Sequence, residues 1–133
     1  MTIGATPARP PARPLVVLVD DDESVRESLP DLLSQLGYDA VAFASAEEFL
    51  ENDDSLIDRA EGLILDVSMP GLSGPELHQE LLRRGVRIPT IFITAHADST
   101  VRPSLLAQGA IECLFNPFSE EALLEALQQA INK

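Results

Sequence analysis

Acidic and hydroxyl side chains follow three short apolar runs of the chain. Asp20, Asp21 and Asp22 follow LVVLV, Asp66 follows LIL, and Thr94 follows TIFI. Short apolar runs of this kind are typical of buried parallel strands, whose carboxyl ends meet at one edge of a sheet. Carboxylates gathered there repel one another unless a cation neutralises them, and Mg²⁺ prefers hard oxygen ligands. The spacing therefore predicts a magnesium crevice lined by these residues.

Asp66 is the candidate nucleophile of that crevice. A carboxylate oxygen can attack a phosphoryl group when a metal ion screens the phosphoryl oxygens. The hydroxyl of Thr94 can donate a hydrogen bond to the transferred group. The alternative is three ordinary strand-end residues, since Asp commonly begins turns. The agreement of three strand ends favours the chemical interpretation.

The elements that must position these residues alternate between strand and helix patterns. Apolar, β-branched runs predict five strands, at Leu15–Val19, Asp39–Phe43, 63–65, 88–93 and 111–115. A pattern of helical period follows each run, and Ser45, Ser73 and Ser119 are the expected N-caps of three helices. The alternation predicts an α/β fold: a doubly wound, five-stranded parallel sheet with five helices on its two faces.

Two prolines and one acidic segment interrupt these patterns. Pro30 lies inside the first helical pattern and should kink it, because proline removes a backbone donor. Pro103 predicts that the helix after the fourth strand is short and begins near Arg102, or is distorted. The acidic stretch 51–58 is most simply a solvated face.

Composition limits the classes of function. The 133 residues suit one domain, and 22 acidic against 9 basic residues give a net charge of −13, which disfavours direct binding to nucleic acid or an anionic membrane. A single cysteine, Cys113, excludes an internal disulfide. No apolar run has membrane-spanning length and no signal core is present, so we expect a soluble, cytoplasmic chain. Residues 1–14 are rich in Pro and Arg and predict a disordered tail before a domain at 15–133.

Four segments, VVLVDDDESVRESL, LILDVSMPGLSG, PTIFITAHAD and NPF, fall in the order and spacing of a known family. From Leu15 to about Asn132 the chain resembles the receiver (CheY-like) domain of bacterial two-component response regulators. SAEEFL and TAHAD bring it nearest to the nitrogen-fixation regulator (FixJ-like) subgroup, whose receivers usually precede a helix-turn-helix DNA-binding domain. The resemblance implies a flavodoxin-like (βα)₅ fold with strand order 2-1-3-4-5.

The resemblance also implies roles for individual residues. Asp66 would be the phosphoacceptor, which takes a phosphoryl group from a histidine kinase. Asp21 would bind Mg²⁺ directly and Asp20 through water. The backbone carbonyl of Ser68 would be a further metal ligand, and Thr94 the switch hydroxyl.

Two positions depart from the family pattern. Asn116 stands where the family has a lysine, and it offers a hydrogen bond but no charge. Arg102 is the nearest arginine in sequence that could substitute. Cys113 occupies the position at which the family has its switch aromatic residue, and it is most simply a small core residue.

Ser68 and His96 occupy the two positions that tune phosphoryl lifetime in the family, where His96 is either a general base or inert.

These departures leave two functions open. One is a phosphorylation-dependent signalling switch, whose partners are a sensor histidine kinase or phosphotransfer protein and an effector or output domain. The other is a degenerate receiver that serves as a phosphorylation-independent interaction module. The family pairs through its fourth helix, fifth strand and fifth helix, so a homodimer is implied, although Pro103 and Cys113 alter that face and favour non-standard pairing or a monomer. An enzyme is not expected. A haloacid-dehalogenase phosphatase would need an internal lysine, which this chain lacks. A flavin-binding protein would need a loop that attracts the flavin phosphate, whereas the acidic residues 20–23 would repel it.

Overall fold

Five parallel strands form one sheet in the order β2-β1-β3-β4-β5 in the computed structural model, which describes residues 13–52, 54–95 and 101–131. The strands are β1 (Leu15–Val19), β2 (Asp39–Phe43), β3 (Ala60–Asp66), β4 (Thr90–Thr94) and β5 (Glu112–Phe115). The helices are α1 (Glu23–Gln35), α2 (Ala46–Leu50), α3 (Asp54–Arg59), α4 (Gly74–Arg83), α5 (Val101–Ala107) and α6 (Glu120–Ala130). The α/β fold, the doubly wound sheet and its strand order are confirmed, with six helices in the described ranges rather than five.

Helices cover both faces of the sheet, and each face has its own core. Successive strand residues point to opposite faces, so Val17 and Phe92 join the core that includes Leu77 of α4. Leu18 joins the other core, which includes Leu127 of α6. In β1, β3 and β4 the central residues form an apolar run because both faces of the sheet are buried there. In the edge strand β2, Asp39 and Val41 are exposed.

Side-chain oxygens cap the helices as the sequence predicts, with one difference. Ser73 and Glu76 form a complete capping box at α4, and the hydroxyl of Ser119 accepts a hydrogen bond from the first turn of α6. At α2 the hydroxyl of Ser45 accepts from the Glu48 amide at 3.0 Å. The Glu48 carboxylate, however, accepts from the amide of residue 44 at 3.1 Å, one residue before the position that a capping box uses.

The stretch 51–58 is not only a solvated face. It contains the start of α3, in which Leu56 is buried and Ile57 packs against the core while Asp58 is exposed. A prediction from charge alone missed this helix because two apolar residues within an acidic stretch are enough to anchor a short helix.

The helices of the described ranges are short, and three of them contain proline: Pro30 in α1, Pro75 in α4 and Pro103 in α5. The longest, α1, has 13 residues and continues through Pro30. Over the described residues α5 runs from Val101 to Ala107, with Pro103 as its third described residue. It directly follows residues outside the described ranges, so its short length stays a prediction. Within the described ranges, no helix combines the length and the apolar character that a membrane crossing requires.

The described chain begins at Arg13, beside the amino end of β1. The Arg13 guanidinium donates to the carbonyls of Ser34 and Tyr38, and its Nε lies 3.7 Å from a carboxylate oxygen of Asp39. The predicted tail over 1–14 otherwise falls on residues outside the described ranges, and it stays a prediction.

Candidate functional site

Three neighbouring strands end at one crevice. Asp20 directly follows β1, Asp66 is the last residue of β3, and Thr94 is the last residue of β4. Parallel pairing places Val19 beside Leu65 and so brings these ends to one edge of the sheet. They surround a cavity of about 320 Å³ that is lined by Asp20, Asp21, Asp22, Val25, Asp66, Ile93, Thr94, Ala95 and Asn116. Among the described residues proposed for the site, Ser68 and Arg102 do not line this cavity.

The carboxylates of Asp20, Asp21 and Asp66 lie close together. One oxygen of each lies within 4.8 Å of the other two, and no other such group of potential metal ligands occurs among the described residues. Two oxygens bound to one Mg²⁺ lie at most about 4.2 Å apart. Small side-chain rotations would therefore bring all three into one coordination shell.

The carboxylates are poorly compensated by the protein. Burial, the charge of Asp20 and a hydrogen bond to Asp21 together raise the pKa of Asp66 to about 7. Burial also raises the pKa of Asp20, which is 3% exposed. No basic side chain of the described residues lines the cavity. A site with hard oxygen donors and unneutralised charge fits a divalent cation.

The loop after β1 is held by its own acidic residues. Oδ1 of Asp20 accepts a hydrogen bond from the Asp22 amide at 2.8 Å. Asp22 in turn caps α1 by accepting from the amide and hydroxyl of Ser24, and these bonds lower the pKa of Asp22. Arg26 donates to the carbonyl of Asp20 at 3.0 Å. The third acid of the run thus acts as a helix cap beside the metal-ligand candidates.

The loop after β3 packs tightly against Asp66. The amide of Ser68 donates to Oδ1 of Asp66 at 3.3 Å, and the amide of Gly74 donates to the Val67 carbonyl at 3.3 Å. A Cβ atom at Gly74 would lie 2.2 Å from the carbonyl oxygen of Asp66, a distance that no side chain can occupy. Only glycine therefore allows α4 to begin this close to the end of β3.

Glu47 is a supporting residue that the sequence patterns did not identify. Its Oε2 accepts a hydrogen bond from the amide of Leu72 at 2.8 Å, which ties α2 to the loop after Asp66. A Cβ atom at Gly71, whose φ is +75°, would lie 2.7 Å from the same oxygen. Glu47 and Leu72 are far apart in sequence, so no local sequence pattern could have predicted the hydrogen bond between them.

Asn116 is brought to the site, and Arg102 is not. Asn116 is exposed, lines the cavity, and donates its backbone amide to the Thr94 carbonyl at 2.8 Å. The Arg102 guanidinium instead binds both carboxylate oxygens of Glu112, at 2.7 and 3.0 Å. The idea that Arg102 supplies the missing charge is therefore not supported, since an ion pair holds that side chain against β5.

Cys113 is buried between its neighbours, with 2% of its surface exposed, and burial raises the pKa of its thiol. This burial fits a small core residue rather than a reactive thiol. His96 lies outside the described residues.

Comparison with known proteins assigns this fold and site to a family. The family model of the response regulator receiver domain matches residues 16–128. Nodulation protein W of Bradyrhizobium diazoefficiens is 40% identical over 119 residues, which cover 90% of this chain and 52% of that protein. The transcriptional regulatory protein FixJ of Azorhizobium caulinodans is 36% identical over 118 residues, or 89% of this chain and 55% of that one. The chain spans about half the length of these relatives.

Solved structures agree with the sequence relatives. The response regulator StyR is 43% identical with a TM-score of 0.81, over 91% of this chain and 60% of that one. The FixJ-N structure is 32% identical with a TM-score of 0.77, over 90% of this chain and 94% of that one. Both the motifs and the strand order lead to one assignment. The chain belongs to the receiver domain family of two-component response regulators.

Proposed function

We propose that this receiver accepts a phosphoryl group on Asp66 and signals through its phosphorylated state. The observation that carries the proposal is the convergence of three carboxylates within 4.8 Å of one another, in the cavity that Thr94 also lines. The chain would act as a signalling domain, and its only chemistry would be self-catalysed phosphotransfer and dephosphorylation.

Asp20, Asp21 and Asp66 would hold Mg²⁺, together with the backbone carbonyl of Ser68. Their hard oxygen donors and uncompensated charge fit such an ion. When bound, Mg²⁺ would supply positive charge that favours the ionised form of Asp66 and screens the phosphoryl oxygens.

Asp66 would act as the nucleophile. A carboxylate oxygen of Asp66 attacks the phosphorus of a phosphohistidine on a sensor histidine kinase or phosphotransfer protein. The phosphorus–nitrogen bond breaks, its electron pair stays on the imidazole, and an acyl phosphate forms on Asp66. The Thr94 hydroxyl would donate to a phosphoryl oxygen. The side-chain amide of Asn116 can add a neutral hydrogen bond to the phosphoryl group, and this bond is weaker than one from a charged donor.

The phosphorylated state would be read by a downstream effector or an output domain. The named relatives include a transcriptional regulatory protein of which this chain covers 55%, and a second copy of the chain is a further candidate partner. With a net charge of −13, the receiver itself would make no direct nucleic-acid contact.

A second candidate function is a phosphorylation-independent interaction module. The absence of any basic side chain from the described cavity lining favours it, because the phosphoryl group would add further negative charge to the site. In this case the acidic cavity would bind a cation for stability alone.

Beryllofluoride, a phosphoryl mimic, separates the two functions. Amide NMR spectra would be recorded with Mg²⁺, with and without the mimic, for the wild type, Asp66→Asn and the charge-matched control Asp58→Asn. Phosphoryl acceptance predicts shifts at Asp66, Thr94 and Asn116 in the wild type and the control, and none in Asp66→Asn. Unchanged wild-type spectra would support the interaction module instead.

The variant Asn116→Lys adds a graded arm to this experiment. If the missing charge limits phosphoryl binding, the mimic should bind the lysine variant at least about tenfold more tightly than the wild type, since a charge-assisted bond replaces a neutral one. Equal affinities would show that Asn116 does not weaken the site.

A further inference from the structure

A second cavity lies at the opposite edge of the sheet from Asp66. It has a volume of about 260 Å³ and sits between α4, the end of α5 and the amino ends of β4 and β5. At about 30 Å³ per water molecule, this volume equals roughly nine waters, which suits a small organic molecule. Its walls are largely apolar, from Leu82, Ile88, Pro89 and Ile111.

One buried polar group in this cavity lacks a partner. His78 lines the cavity and is only 5% exposed, and its Nδ1 has no hydrogen-bond partner among the described residues. Its ring packs edge-on against Phe92, with ring centroids 5.7 Å apart. Buried polar atoms without partners are rare and costly. Because Nδ1 has almost no accessible surface, a ligand in the cavity would contact the ring through its other atoms.

The cavity is also locally basic in a strongly acidic chain. No Asp or Glu lines it, while the exposed Arg87 stands at its wall and makes no ion pair with any described residue. By contrast, Arg83 and Arg84 at the end of α4 both bind Glu80, at 2.5 and 2.7 Å. The cavity therefore offers a cation, an imidazole and the amide of Gln108 around an apolar interior.

We propose that this cavity binds a small monocarboxylate with a short, branched apolar chain. The carboxylate pairs with Arg87, and the apolar chain packs against Leu82, Ile88 and the ring of His78. The carboxylate of such a ligand matches the positive charge of Arg87, and its apolar chain matches the apolar wall of the cavity. A positively charged ligand would be repelled by Arg87, and a neutral ligand would leave the charge of Arg87 unpaired.

The test is an NMR titration of the full chain with isovalerate. Three matched probes accompany it: isoamyl alcohol has a similar chain but no charge, isoamylamine carries the opposite charge, and acetate lacks the apolar chain. The readout is the ring nitrogen signals of His78, which the variant His96→Gln distinguishes from those of the only other histidine. Isovalerate should shift these signals saturably, and each of the other probes should bind at least about tenfold more weakly.

Two arginine variants distinguish a site that recognises the carboxylate from a cavity that binds apolar molecules without specificity. Arg87→Gln should weaken isovalerate binding by about tenfold or more, because it removes a charge-assisted bond. Arg59→Gln, which removes an exposed arginine of α3, should leave binding unchanged. Unshifted His78 signals, equal binding of isovalerate and isoamyl alcohol, or equal loss in the two arginine variants would each overturn the proposal.

This inference is independent of phosphorylation. Because Asp66 lies at the other edge of the sheet, Asp66→Asn should bind isovalerate as the wild type does. Loss of isovalerate binding in Asp66→Asn would contradict the placement of the ligand at His78.

Discussion

The substitution Asp66→Asn should stabilise the metal-free protein at alkaline pH. The folded state raises the pKa of Asp66 to about 7 from its ordinary value of 3.8. A carboxyl with a raised pKa binds its proton more tightly in the folded state. Its contribution to the stability of the protein is therefore fully present below its pKa in the unfolded state, and that contribution is lost as pH rises through its pKa in the folded state. Asparagine has nearly the same shape, carries no charge and escapes this loss.

The size of the effect follows from the shift. A rise from 3.8 to about 7 is roughly three pKa units, or about 4 kcal/mol at about 1.4 kcal/mol per unit. Asp66 is only half-buried, so solvent screening reduces this figure to roughly 2 kcal/mol. Asp66→Asn should therefore be about 2 kcal/mol more stable than the wild type at about pH 8, and the difference should shrink towards about pH 4.

Urea unfolding, followed by circular dichroism with a metal chelator present, measures this difference at both pH values. Asp58→Asn is the matched control, because Asp58 is exposed on α3 and its loss changes the net charge equally. Adding Mg²⁺ should stabilise the wild type and stabilise Asp66→Asn much less. The reasoning is refuted if the two carboxamide variants gain the same stability, or if Asp66→Asn gains none at alkaline pH.

Three further predictions concern the supports of the site and the second cavity. Leu77→Ala should lower the free energy of unfolding by about 2–5 kcal/mol in urea, because the Leu77 side chain of α4 is fully buried in the core; a loss under about 1 kcal/mol would contradict this packing. Glu47→Ala should speed hydrogen exchange of the Leu72 amide about tenfold, since its acceptor is removed, whereas Glu47→Gln, which keeps an oxygen there, should change it little. Burial lowers the pKa of His78 in the folded state. As pH drops below about 6.5, the histidine is therefore protonated more readily in the unfolded state, and the stability of the fold decreases. Melting curves of His78→Leu should show a smaller loss over that range than those of His96→Gln, and parallel losses would contradict the burial effect.

The sequence sufficed to predict the sheet because its strands contain short apolar runs, three of which are followed by polar residues. Asp66 and Thr94 end β3 and β4 as predicted, and parallel pairing alone brings them together. The N-caps at Ser73 and Ser119 were also predictable, since capping depends on residues three or four apart.

Features that depend on distant partners could not be predicted in this way. The bond from Leu72 to Glu47 joins a loop to a helix far away in sequence. Arg102 is close to Asn116 in sequence, yet Glu112 holds it elsewhere. The helix α3 was missed because its acidic residues dominate the composition of the stretch, whereas the burial of Leu56 decides its structure.

The raised pKa of Asp66 likewise needed three dimensions. The sequence places carboxylates at one edge, but only the structure shows how far burial and the charge of Asp20 add to each other. Their sum decides whether the site is neutral or charged near physiological pH.

Gly74 carries a consequence for how variants of this protein would be interpreted. The residue has no functional group, yet any side chain there would collide with the carbonyl of Asp66 at 2.2 Å. A saturation mutagenesis screen scored by signalling output would therefore rank position 74 with the acidic residues and suggest a catalytic role. Scoring the same library by protein abundance would separate the two classes: charge-removing changes at Asp66 would preserve abundance, and substitutions at Gly74 would reduce it.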